Sequence, residues 1–139
     1  MVQIGVLAGD VDRLRPRDVD LHRLSGRIDI TAEAEGFDHP GDPSFYYGFG
    51  IRRNPRTIAG VTRDGRLLLV AVDGRAPGYS AGLSFSEEAA VMRALGATDA
   101  TNLDGGGSTT MTIRGTVVTR PSDATGERPL GDAILLLPQ

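Results

Sequence analysis

The stretch Leu67-Leu68-Leu69-Val70-Ala71-Val72 constrains the fold more than any other part of this chain. An apolar run with no polar alternation cannot leave one face in water. As a strand it is buried on both faces, so it lies inside a sheet with a neighbour on each edge. Just upstream, Asp64-Gly65 is hairpin-turn chemistry, and Ile58–Thr62 supplies the first partner. A Gly/Pro-rich loop from Gly74 to Gly82 follows.

Ser84 to Leu95 reads as the main helix. Ser84 and Glu87 have the spacing of a capping box. Phe85, Ala89, Met92 and Leu95 recur at helical spacing on one face, and Gly96 is placed to stop the helix. Thr98–Leu103 reads as a strand. Thr109–Ile113 and Thr116–Thr119, joined by Arg114-Gly115, read as a second hairpin, and Ala133–Leu137 as a final buried strand. These elements predict an α+β fold: a mixed, mostly antiparallel sheet with one main helix (84–95) packed on it.

Residues 1–56 have a different texture. They are charged and weakly periodic, with turn material at Gly36–Pro43 and short strands expected around Val2–Leu7 and Arg27–Thr31. The expected organisation is therefore a weakly patterned segment, 1–56, followed by a patterned domain, 57–139. A length of 139 residues suits one domain or part of one.

Composition removes several kinds of chemistry. The formal net charge of -3 gives no footprint for nucleic acid. All 15 basic residues are arginine, so neither a Schiff base nor a P-loop lysine is available. With no cysteine there is no disulfide, thiolate metal site or cysteine nucleophile. No apolar run reaches membrane-spanning length, and Met1–Asp10 lacks the pattern of a signal peptide. His22 and His39 both fall in the weakly patterned segment, so no Ser-His-Asp arrangement is expected in the patterned one.

The run Asn102-Leu103-Asp104-Gly105-Gly106-Gly107-Ser108-Thr109-Thr110-Met111 is the strongest candidate for a site. Consecutive glycines build no core; they are kept where a backbone takes positive φ or something lies against it. Strand alternation would put Asn102 and Asp104 on one face at a strand end. Gly105, Gly106 and Gly107 then offer room and unshielded N–H groups, and Ser108 and Thr109 add hydroxyls. A lone Asp-Gly would be turn chemistry only. Here a P-loop fails for want of lysine, and a dinucleotide fingerprint fails because β-formers follow the glycines. The spacing of Asp99, Asn102 and Asp104 does not match a calcium loop, which leaves a hard cation on Asp104 as the one metal reading. No cofactor is required.

Four further polar clusters stand out: Arg52–Thr57, Asp73-Gly74-Arg75, Tyr79–Gly82, and Pro121-Ser122-Asp123 with Glu127-Arg128. Each has a plain alternative as a solvated loop, a turn cap or an exposed ion pair. Their order and spacing, together with Asn102–Met111 and Glu127-Arg128-Pro129, resemble the phosphodiester glycosidase family over residues 52–138. Family domains are longer and carry an upstream Asn-Gly-Gly-Phe-Phe-like segment that is not found in these residues, and they often have Asn where this chain has Asp132.

The resemblance implies hydrolysis of a sugar 1-phosphodiester at the glycosidic bond. The partner would be a phosphorylated sugar or glycan; export is a family habit, and no oligomer is specified. By the same resemblance Asp104 is the carboxylate at the reaction centre and Glu127 a second acid/base. Arg56 and Arg128 would clamp phosphate. Asn102, Gly105, Gly106, Gly107, Ser108 and Thr109 would line the substrate, with Asp73 and Ser80 nearby. The alternative is a non-catalytic module of the same family that binds glycan or phosphate, or is purely structural.

Overall fold

The computed structural model describes residues 4–9, 27–28 and 46–137. Five strands form one antiparallel sheet: β1 (Ile4–Gly9), β2 (Arg27–Ile28), β3 (Arg56–Thr62), β4 (Leu67–Val72) and β5 (Ala97–Asn102), in the order β1-β4-β3-β5-β2. The apolar run is β4, and it is interior as its composition requires. β1 pairs along one edge (Ile4 opposite Val72) and β3 along the other (Arg56 opposite Val72).

The helix α1 (Phe85–Ala94) packs on this sheet. Its capping box is formed: the Glu87 N–H donates to Ser84 Oγ and the Ser84 N–H donates to Glu87 Oε2. Ile58, Leu68, Val70, Val72, Leu83, Met92 and Ala97 make the core between them. Helix and sheet approach closely at Gly60, where a Cβ would lie 2.5 Å from Met92 Cε.

Two departures concern the helix face. Leu95 is the C-cap and is 37% exposed, whereas Glu88 is fully buried beside Phe85, Ala89 and Met92. Leu95 lies past the last helical turn, so the apolar face ends before it. Glu88 is turned inward toward Arg56, a partner that helical periodicity does not reveal.

A short hairpin, β6 (Thr112–Ile113) and β7 (Thr116–Val117), turns through Arg114 and Gly115, both at positive φ. Ala133–Leu137 is not a strand. Ile134, Leu135, Leu136 and Leu137 are 42–79% exposed, and among the described residues nothing pairs with them. A run of apolar residues becomes a strand only where another edge takes its backbone hydrogen bonds. The turn at Gly36–Pro43, both histidines and the continuation of β2 toward Thr31 lie outside the described residues.

Candidate functional site

The glycine run sits at the sheet end where β5 finishes and β3 begins. Beyond Asn102 the chain stays hydrogen-bonded to the start of β3. The Leu103 N–H donates to the Thr57 carbonyl at 2.7 Å and the Gly106 N–H to the Pro55 carbonyl at 2.9 Å. Gly106–Ser108 then close one 3₁₀ turn, in which the Ser108 and Thr109 N–H groups donate to the Gly105 and Gly106 carbonyls at 3.2 Å. β5 stops before the alternation can carry to Asp104. Asn102 is buried at 5% exposure, while Asp104 is exposed and, among the described residues, without a side-chain partner.

What lies against the glycines explains them. A Cβ on Gly105 would lie 2.8 Å from the Pro55 carbonyl oxygen. One on Gly106, which has φ +62, would lie 3.2–3.5 Å from the Arg75 guanidinium. One on Gly107 would lie 2.2–2.4 Å from the carboxylate of Asp123. The three glycines thus form a floor for a carbonyl, a guanidinium and a carboxylate: a Cβ at 105 or 107 would intrude on the group above it, and the positive φ at 106 favours glycine.

The groups above the floor are held in place. Arg75 has φ 55, an unfavourable conformation for a non-glycine residue costing about 1–2 kcal/mol. Its Nε and Nη2 donate to Asn54 Oδ1 at 3.3 and 3.0 Å. Arg128 donates from Nε and Nη2 to Ser108 Oγ, the former at 3.2 Å, and its Nη1 lies 3.5 Å from Asp123 Oδ2. Arg75 also borders a cleft of about 410 Å³ lined by residues 75–81, a volume within the range of about 300–1,000 Å³ usual for small-molecule sites.

Asp73 ties this region together from below. It is 3% exposed. Its Oδ1 accepts the Arg120 N–H at 2.8 Å, its Oδ2 the Tyr79 hydroxyl at 3.1 Å, and its carbonyl the Ser80 hydroxyl at 2.5 Å. The Arg120 guanidinium stacks 4.0 Å above the Tyr79 ring. Asp73 and Ser80 are therefore engaged within the protein and position the loop that carries Arg75.

Arg56 is likewise turned inward, contrary to a phosphate-clamp role. It is 1% exposed, donates from Nε to the Leu83 carbonyl at 2.8 Å and from Nη2 to the Phe49 carbonyl at 2.6 Å, and stacks on the Phe49 and Phe85 rings. Glu88 Oε1 lies 2.7 Å from Arg56 Nε, yet accepts no hydrogen bond among the described residues, because the single Nε–H points at Leu83. Burial pushes the Glu88 carboxyl up to about 8, against the pull of Arg56.

The sequence-derived set is thus divided. Gly105, Gly106, Gly107, Ser108 and Arg128 come together. Asn102 is beside them, with an Oδ1 that has no partner among the described residues. Thr109 is buried, 3.4 Å from Thr57 Oγ1. Glu127 is exposed and engaged in no ion pair or side-chain hydrogen bond among the described residues. Arg75 and Asp123 join the site although spacing gave them no role; both lie in polar clusters adjoining Gly or Pro turns. Among the described residues, no three His, Cys, Asp or Glu side chains gather to hold a metal, and no helix is long and apolar enough to cross a membrane.

Comparison with known proteins gives concordant matches. The family model for phosphodiester glycosidases matches residues 24–137. The mouse and bovine N-acetylglucosamine-1-phosphodiester alpha-N-acetylglucosaminidases are 41% and 40% identical over 68 residues, 49% of this chain. The chain spans only 13% and 12% of their lengths. A solved protein of Burkholderia pseudomallei K96243 is 56% identical with TM-score 0.66, covering 68% of this chain and 18% of that one. The zebrafish N-acetylglucosamine-1-phosphodiester alpha-N-acetylglucosaminidase catalytic domain, auto-inhibited by its pro-peptide, is 32% identical with TM-score 0.51, covering 57% and 25%.

Proposed function

Because this chain belongs to the phosphodiester glycosidase family, we propose that it hydrolyses a sugar 1-phosphodiester at the glycosidic bond, releasing free sugar and a phosphomonoester. The observation that carries this reading is the glycine floor at the sheet end, with guanidinium groups of Arg75 and Arg128 beside it. A departing phosphate is already acidic and needs little protonation; it needs positive charge where its negative charge develops, and arginine forks match its oxygens. The sugar carbon becomes oxocarbenium-like and needs carboxylate nearby.

In this reading the C1–O bond breaks and its electron pair stays on the phosphate oxygen. Water oxygen bonds to C1. One water proton remains on the new sugar hydroxyl; the other passes to Asp104, an exposed carboxylate, and then to solvent. Glu127 is a second acid/base by the family resemblance, and Asn102, whose buried Oδ1 has no hydrogen-bond partner among the described residues, supports the strand end from which Asp104 projects.

The test is Asp104→Asn on a sugar 1-phosphodiester. Loss of a positioned acid/base group predicts a fall of about 10²–10⁴-fold in turnover with an unchanged melting temperature; full activity would remove Asp104 from the mechanism. A second reading, a module that binds phosphorylated glycan without cleaving it, is favoured by Asp104 and Glu127 both being exposed and without a side-chain partner among the described residues. It predicts calorimetric binding of a sugar phosphate and no turnover by wild type.

A further inference from the structure

A guanidinium and a carboxylate lie against adjacent glycines of the floor. Arg75 lies against Gly106 and Asp123 against Gly107, and consecutive Cα atoms are about 3.8 Å apart. Asp123 is paired with Arg128 at 3.5 Å. Arg75 meets only the neutral Asn54 amide and, among the described residues, has no carboxylate partner. Its strained backbone at φ 55 holds an uncompensated cation at this point. A glycosyl phosphate presents the matching pattern at its transition state: positive charge on C1 and negative charge on the phosphate, one oxygen apart.

We propose that Arg75 receives the phosphate and that Asp123 faces the anomeric carbon as the carboxylate stabilising its developing positive charge. This rests on the glycosidase reading above. Asp123 thereby takes the second carboxylate's place that the resemblance gave to Glu127, and Arg75 the clamp position it gave to Arg56. Bond changes are those already described: C1–O breaks onto the phosphate oxygen, now beside Arg75; water oxygen bonds to C1; its released proton leaves through Asp104. Gly107 is required because any side chain there would displace the Asp123 carboxylate.

Gly107 is not at positive φ, so Gly107→Ala burdens Asp123 and leaves the backbone unstrained. Turnover of a sugar 1-phosphodiester is measured for the full chain, Asp123→Asn, Gly107→Ala and the double variant, with melting followed in parallel. The expected result is a loss of about 100-fold or more in kcat for each single variant, a retained melting temperature, and little further loss in the double variant. Wild-type turnover that survives both single changes would overturn the proposal while leaving the functional reading intact. Titration with a sugar 1-phosphate examines Arg75 separately: Arg75→Ala is expected to bind at least about tenfold more weakly, and equal affinity would overturn the proposal. A wild type that cleaves nothing defeats the functional reading, and the same titration then decides whether Arg75 binds the anion.

Discussion

An arginine in a basic, Pro-containing segment is ordinarily solvated, and Arg56 reads that way from its neighbours. It is buried because three things meet at it: two aromatic faces, the carbonyls of Phe49 and Leu83, and Glu88. None is adjacent to it in sequence, so no local pattern reveals the inward turn. Glu88 gives the consequence for pH. Unfolded, it loses its proton near 4.5; folded, burial keeps the proton on to about 8. Between those values the folded chain binds more protons than the unfolded one, so this group's contribution is complete below about 4.5 and is lost as pH rises toward 8. Glu88→Gln, which stays neutral, is expected to melt with less dependence on pH between about 5 and 8 than wild type. Equal slopes in thermal melts followed by circular dichroism would contradict this. The site residues divide by the same logic: the glycines were legible because their chemistry is local, whereas Arg75 and Asp123 acquire their meaning only from what they lie against.

Elements were legible where a local signal closes on itself. The β3–β4 hairpin carries its own turn, and α1 carries its own cap. The helix start rests on Ser84 and Glu87, with Glu87 held down to about 2 chiefly by its hydrogen bond to Arg53. Ser84→Ala removes one half of the capping box and is expected to cost about 1 kcal/mol, seen as a lower urea midpoint with an unchanged slope. An unshifted midpoint would show that the Arg53–Glu87 pair alone secures this turn. Ala133–Leu137 failed as a strand for the opposite reason: its signal is hydrophobicity, which says what a strand should be covered by but supplies no edge to pair with. The helix face failed at Glu88, where a polar residue is buried because of a partner on another element.

At the scale of the molecule, strand order is the least local property, and sequence patterning did not contain it. β1 pairs with β4, and β2 with β5, although both come from the weakly patterned first part of the chain. That order places β3 beside β5, and their shared end is where Pro55 and Thr57 hold the glycine run while the 75–81 loop and the 123–128 segment converge on it. In the proposed function this corner breaks a sugar carbon–oxygen bond. Hydrolysis of a sugar 1-phosphodiester by the full chain in ¹⁸O-enriched water, with mass analysis of the phosphomonoester, tests it directly. The expected result is turnover with no label in the phosphomonoester, the water oxygen having gone to the sugar. Labelled phosphomonoester, or no release of sugar at all, would contradict it.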